Sequence, residues 1–447
     1  MTNTSSFKNL VSNVYILGLS FFIVFGRSFS GLKILSFRVG ELVVGLLIIF
    51  SFITIAVHFK NKDYFIQFNK QIYTFGFLII LFVVSLFVNQ GNLFNLYSFK
   101  SSSYIWTTAT IFFTYFLLRD FHVNKIYKYI FSILLFVVYF FSTIHYPQIF
   151  INFFTTFSDR WDFVKASDIF LIYVLTNTFN YFNFSKKINA YVYFMFSSSI
   201  LLPLFLYMSK GSFFPAVVFV LTFFIIYFKF TKKHILKLII TLLISSLLFV
   251  VSTYEVWGNL NFEKGLDINQ NSAETLLKVD TLKRNISDIS KQKNTSAVFA
   301  SIYFSGNRIY STEMMLDWRL QIWQDIIFDL GDKNKTLFGY GYNDIIPIMD
   351  DSQRRGTDGT NENVHNYFFN ILARGGVFQL ITVLLFMFFM FLEIEDNNKK
   401  VIFLASIVPI YMTSFFDASM ESVRFPLIFY FGIVLIFKLD TNKSRLS

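Results

Sequence analysis

The chain has 447 residues, 54% of them hydrophobic, 21% aromatic and only 15% charged, with 64 phenylalanines, 6 prolines, no cysteine and a formal net charge of +11. Soluble domains carry about 25% charged residues, so the composition excludes an ordinary soluble protein; apolar content is too high for a disordered chain, and the lack of cysteine excludes disulfides and thiolate metal sites. Apolar runs of about 20 residues, enough to cross a bilayer core of about 30 Å, recur along the sequence and predict an all-α polytopic membrane protein.

In chain order the runs lie at 10–27, 39–59, 72–90, 103–118, 127–145, 168–184, 189–208, 212–228, 236–253, 367–392, 401–416 and 425–438, giving about twelve transmembrane helices. The polar start MTNTSSFK and the lack of a small-residue cleavage site after the first run predict a retained signal anchor. Lys and Arg gather on the side that holds Lys60, Lys62, Lys70, Arg119, Lys125, Lys128, Lys186, Lys187, Lys229, Lys237, Lys399 and Lys400. By the excess of positive charge on cytoplasmic loops, both termini are expected inside. Residues 1–253 then form nine helices, 254–364 a large external loop domain, and 365–447 three further helices. That loop is acidic while the membrane-flanking remainder is basic, so the isoelectric point of about 9.4 reports membrane topology and not nucleic-acid binding.

Within the loop, 261–295 is polar. Residues 311–330, STEMMLDWRLQIWQDIIFDL, place Leu316, Leu320, Trp323, Ile327 and Leu330 at helical spacing and predict an amphipathic helix. Residues 336–343, TLFGYGYN, read as a glycine-punctuated turn, and 352–363 is polar, with Arg354 and Arg355. The chain re-enters the membrane through NENVHNYFFNILARGGVF, where His365 and Asn366 open a helix and Gly376 follows eleven residues after His365. No metal-ligand spacing and no phosphate-binding glycine loop occur in the sequence.

The run HNYFFNILARGGV fits the pattern His-Asn, nine residues, Gly, and so resembles the superfamily of bacterial O-antigen ligases and O-antigen polymerases. The layout, about twelve helices with one large loop between the ninth and tenth, is similar too. Upstream, WRLQIWQDIIFDLGDKNKTLFGYGYNDI is similar to the family's arginine, three residues, tryptophan, short helix and Gly-x-Gly turn, here Arg319, Trp323, Gly339 and Gly341. YMSKGSFFPAV, from Tyr207, resembles the family's Ser-Arg-Gly segment but carries Lys210 where arginine is usual. The resemblance implies a glycosyltransferase of the bacterial inner membrane that moves a glycan from undecaprenyl diphosphate to a hydroxyl acceptor at the periplasmic face. It implies an inverting displacement without metal, nucleotide sugar or other cofactor. The acceptor is the lipid A core in a ligase and a second lipid-linked repeat unit in a polymerase, with membrane lipids and a chain-length regulator as further partners.

The residues fit such chemistry on physical grounds. A diphosphate leaving group needs fixed cations, and arginine binds phosphate oxygens with a planar fork that stays charged. Arg319 is the first candidate, beside the aromatic surface of Trp323 on which a sugar could stack; the competing reading pairs it with Asp317. Lys210 is a second phosphate contact or a snorkelling membrane-end lysine. The acceptor hydroxyl must lose a proton, and the His365 imidazole is the candidate base. Asn366 orients that ring, holds a sugar hydroxyl or merely starts the helix, and Gly375 and Gly376 admit a lipid chain or a packed helix. Arg27, Lys33 and Arg38, then Arg308, Arg354 and Arg355, and lastly Asp417, Glu421 and Arg424 are secondary charge clusters. Two other classes stay open: a lipid-linked oligosaccharide flippase, whose signature would be two similar halves and a midplane site, and an assembly component with no chemistry.

Overall fold

A computed structural model of the chain describes residues 2–60, 68–119, 125–144, 146–159, 164–231, 234–260, 302–312, 314–351, 354 and 361–444. The polar stretch 261–295 and Arg355 lie outside these. Every apolar run read from the sequence is helical: α1 (Thr2–Ser30), α2 (Val39–Lys60), α3 (Asn69–Val88), a pair α5 (Ser103–Thr108) and α6 (Thr110–Leu118), α7 (Lys125–Ile144), α9 (Ala166–Asn183), α10 (Lys187–Met208), α11 (Lys210–Thr231), α12 (Ile235–Trp257), α14 (Tyr367–Leu392), α15 (Asn397–Phe416) and α16 (Arg424–Ser444). Between them lie the hairpin β1–β2 (Lys33–Ile34, Phe37–Arg38), the short helices α4 (Leu96–Ser101) and α8 (Gln148–Phe157), the hairpin β3–β4 (Ile302–Ser305, Arg308–Ser311) and α13 (Met314–Asp332). Among the described residues eight helices are long and apolar enough to cross a membrane, or nine if α7 and α8, bent by 83°, count as one span.

The chain parts into two compact units. The first comprises Met1–Phe75, Ser103–Lys264 and Leu385–Ser447; the second comprises Gly76–Ser102 and Gly265–Leu384.

Helix α9 is central to the first unit. Its residues 169–174 are all at most 3% exposed, whereas α12 turns most of its apolar surface outward. A helix shielded from lipid can carry polar side chains, and α9 uses them as interhelical ties. Tyr173 Oη meets Ser198 Oγ at 2.6 Å, Asn177 Nδ2 donates to Ser197 Oγ at 3.2 Å, Thr178 Oγ1 meets Ser406 Oγ at 2.7 Å, and Asn180 Nδ2 donates to Ser132 Oγ at 3.0 Å.

At the start of α9 a buried ion pair joins it to α16: Arg424 Nε and Nη2 approach Asp168 Oδ2 at 2.7 and 2.5 Å, with side chains 6% and 4% exposed. Arg424, which the sequence groups with Asp417 and Glu421, thus takes its carboxylate from a distant helix. Asp417 instead accepts from Ser167 Oγ at 2.8 Å and lies 3.9 Å from Lys165 Nζ. Arg38 is met by Asp159 at 2.8 Å and Glu41 at 3.4 Å, so its charge is answered within the chain.

Removing one partner of a buried pair strands the other charge, at a loss of roughly 3–5 kcal/mol, while replacing both by apolar residues is often neutral. Asp168→Leu is therefore expected to lower the thermal transition of the detergent-solubilised protein strongly. The double variant Asp168→Leu/Arg424→Met should recover most of that loss.

Candidate active site

The second unit is built on a break in α14. Gly376 has φ 73° and ψ −172°, a region open essentially to glycine alone. The break frees carbonyls that an unbroken helix would use. Two are taken up by the turn segment 336–341, where Tyr340 N donates to Ala373 O at 2.7 Å and Gly341 N to Arg374 O at 3.0 Å; in return the Val377 N–H donates to Thr336 O at 2.9 Å. Ser85 Oγ of α3 donates to Phe338 O at 2.8 Å. Gly339, at φ 67°, passes so close that a Cβ there would strike the carbonyls of Ala373 and Arg374, and a Cβ on Gly376 would strike that of Leu337. The two glycine motifs are thus two sides of one backbone junction.

The strap is tied at both ends. Tyr340 Oη donates to Asp329 Oδ2 of α13 at 2.6 Å, and Lys333 lies 3.1 Å from the same carboxylate. Burial alone would raise the Asp329 carboxyl, but the Tyr340 hydroxyl and Lys333 hold it below its ordinary value. Burial, reinforced by the bond to Asp329, pushes the Tyr340 phenol well above its usual range. On the other side Tyr342 Oη donates to the buried Gln379 Oε1, and Ser101 Oγ donates to Tyr342 O at 2.7 Å.

The amphipathic helix expected at 311–330 is α13, displaced slightly towards the C-terminus. Gln324 fixes the β3–β4 hairpin on it by accepting from Ile309 N and donating to Ile309 O, both at 2.7 Å. Arg308 and Arg354 converge on one carboxylate, Asp325, at 2.5 and 2.6 Å. Asp317 accepts from Ser311 N at 2.8 Å and Gln321 Nε2 at 3.3 Å. Arg319, one turn before Trp323, is half-buried.

Trp323 is 5% exposed; its indole N–H donates to Val364 O at 2.8 Å and its ring stacks on Phe369 at 5.3 Å and 12°. The indole therefore braces the residue before His365. His365 itself has φ 52°, a left-handed conformation that costs a residue with a Cβ about 1–2 kcal/mol. Its ring lies 5.3 Å from that of Trp318, and its Nε2 lies 2.7 Å from the side-chain amide of Asn361. Asn366, fully buried, caps α14: its Oδ1 accepts from Phe368 N at 2.9 Å and Phe369 N at 3.1 Å.

Arg374, Tyr97, Lys100 and Glu362 complete this unit. Arg374, 3% exposed, donates to Asp344 O and, at 3.2 Å, to Tyr97 Oη, and lies 5.5 Å over the Tyr97 ring. Glu362 Oε2 accepts from Lys100 Nζ at 2.9 Å and Tyr97 Oη at 3.0 Å. Burial would raise the Glu362 carboxyl, but Lys100, Tyr97 and Arg374 bring it below the usual glutamate range. A signal for Arg374 was available, since a charge inside an apolar helical run marks a candidate functional site. Nothing in the sequence pairs Glu362 with α4. Lys210 belongs to the first unit, exposed at the start of α11; beside it, a Cβ on Gly211 would lie 2.8 Å from Phe416 Cβ.

Residues 195–384, which include the strap, His365 and the α14 break, match the family model described as O-antigen ligase. The match covers less than half of the chain and makes residues 195–384 similar to the O-antigen ligase family, while eight helices among the described residues are long and apolar enough to cross a membrane. No curated protein matches the chain.

Two outcomes follow from this geometry. Gly376→Ala should destabilise the fold by roughly 1–3 kcal/mol from backbone strain alone, with a further loss from the Leu337 carbonyl, seen as a lower thermal transition than that of Gly18→Ala, where a Cβ meets nothing within 4 Å. Because the Glu362 carboxyl is depressed, its stabilising contribution is complete above the ordinary glutamate pKa and is lost as pH falls through the lower folded value. Tryptophan fluorescence, reporting Trp323 of α13, whose indole bonds Val364 two residues after Glu362, should change in that acidic window in wild type and show no such component in Glu362→Gln.

Proposed function

We propose that the chain moves a glycan from undecaprenyl diphosphate to a hydroxyl acceptor at the periplasmic face of the bacterial inner membrane, with both termini cytoplasmic, about twelve spans and 254–364 outside. The observation that carries this reading is His365, held in a strained backbone conformation with its Nε2 2.7 Å from the Asn361 side-chain amide, inside the segment matched as O-antigen ligase.

In the step proposed, the acceptor hydroxyl takes the place of the Asn361 amide at Nε2. Its oxygen forms the new bond to the anomeric carbon from the face opposite the leaving group. The bond from that carbon to the phosphate oxygen breaks, the electron pair leaves with undecaprenyl diphosphate, and the hydroxyl proton passes to Nε2. Arg319 answers the charge that develops on the diphosphate, in the role its motif implies. Trp323 acts through Val364, setting the height of the histidine loop, and Asn366 and Gly376 fix the start and the break of the helix behind it. The proposed displacement calls on no metal ion.

The test is glycan laddering in cells lacking the native protein, complemented with wild type, His365→Asn or Arg319→Ala at matched membrane abundance. Asparagine tolerates the left-handed backbone, so His365→Asn should keep the thermal transition while lowering transfer at least about a hundredfold and leaving lipid-linked precursor to accumulate. With a wild type that restores the ladder, single repeat units on the core in the variants mark a polymerase, and bare core beside full-length lipid-linked chains marks a ligase. A full ladder from both variants contradicts the assignment of these residues.

A further inference from the structure

We propose that Lys100, Tyr97 and Arg374 form an oxyanion cradle that the chain fills with its own Glu362 carboxylate, and that an anionic group of the lipid-linked glycan, phosphate or sugar carboxylate, displaces it there. This rests on the transferase reading only for the source of the anion.

Two independent observations carry it. The first is convergence: Lys100 Nζ and Tyr97 Oη both reach the same oxygen, Glu362 Oε2, at 2.9 and 3.0 Å. The second is the electrostatic state of Arg374. A guanidinium 3% exposed needs a counter-charge, because taking an ion out of water costs several kcal/mol. Its hydrogen-bond partners among the described residues are neutral: the Asp344 carbonyl and the Tyr97 hydroxyl. Its Nε, buried, has no hydrogen-bond partner among the described residues. The Glu362 carboxylate feels the Arg374 charge but makes no hydrogen bond to it, and the two share the Tyr97 hydroxyl, which donates to Glu362 and accepts from Arg374. The cradle thus holds two cations and a hydroxyl for one carboxylate, an arrangement that a group with more oxygens would satisfy more fully.

The occupant is also placed to leave. Glu362 is 29% exposed, and Lys100 is 69% exposed at the end of α4. Glu362 sits beside Asn361, the residue bonded to His365 Nε2, so an incoming anion would loosen the segment that engages the histidine.

The experiment titrates the detergent-solubilised full chain by calorimetry with inorganic pyrophosphate and, separately, glucuronate. Glu362→Gln, which keeps the shape and removes the competing charge, should bind one of the two at least about tenfold more tightly than wild type, and adding Arg374→Gln should abolish the gain. A gain for pyrophosphate assigns the cradle to a phosphate group, and a gain for glucuronate assigns it to an acidic sugar. Equal affinity of wild type and Glu362→Gln for both anions overturns the proposal. Should Glu362→Gln fail to fold, wild type alone decides: saturating anion must speed hydrogen exchange across 361–364, and unchanged exchange overturns the proposal. A ladder lost or kept in cells bears on the transferase reading and leaves this result untouched.

Discussion

The second unit depends on the backbone junction between the broken helix α14 and the strap 336–341. A helix cannot be interrupted inside an apolar environment unless the freed carbonyls find donors, since each unsatisfied group there costs several kcal/mol. Tyr340 N and Gly341 N are those donors, and Val377 N is answered in return by Thr336 O. Only glycine suits Gly376 and Gly339 because carbonyl oxygens occupy the space where a Cβ would stand. From this junction the rest follows in order. The first part of α14 is fixed, so Asn366 at its start is fixed, and the strained His365 before it is held between Trp318, Asn361 and the Val364 carbonyl that Trp323 grips.

Buried charge is handled in two contrasting ways. In the first unit Asp168 and Arg424 face each other directly, a fork on one carboxylate oxygen, and the pair reads as a structural tie between α9 and α16. In the second unit Arg374 is equally buried but bonded to a carbonyl and a hydroxyl. An ion pair closed on itself has little reason to bind a substrate; a cation whose hydrogen bonds go to neutral groups, with its carboxylate Glu362 one hydroxyl away, leaves room for another anion. The loop arginines Arg308 and Arg354 fall in the closed class, both being taken by Asp325.

The helices were legible because apolar runs of membrane length leave few alternatives, and α13 was legible from the spacing of Leu316, Leu320, Trp323, Ile327 and Leu330. The strap was legible only as a turn: TLFGYGYN announces positive φ at its glycines but not what its N–H groups bond to, which is a helix some 35 residues further on. Periodicity also could not say which way Trp323 points; it puts the indole on the apolar face and leaves open whether that face meets a sugar or the chain. Asn361, Glu362 and Tyr97 were invisible for a stronger reason. Tyr97 and Glu362 are 265 positions apart in sequence, and a polar pair of that separation leaves no local signature. By length and hydropathy the run at 168–184 reads as an ordinary span, though the Thr, Asn and Ser content of α9 is what an inner helix shielded from lipid can carry.

The junction itself is most directly tested by residue-resolved hydrogen exchange on the detergent-solubilised chain. If Gly376 and the strap form the unit described, the amides of Tyr340, Gly341 and Val377 should exchange as slowly as those in the middle of α14, although all three lie at a turn or a helix break. Exchange of these three at the rate of an open surface loop would contradict the account.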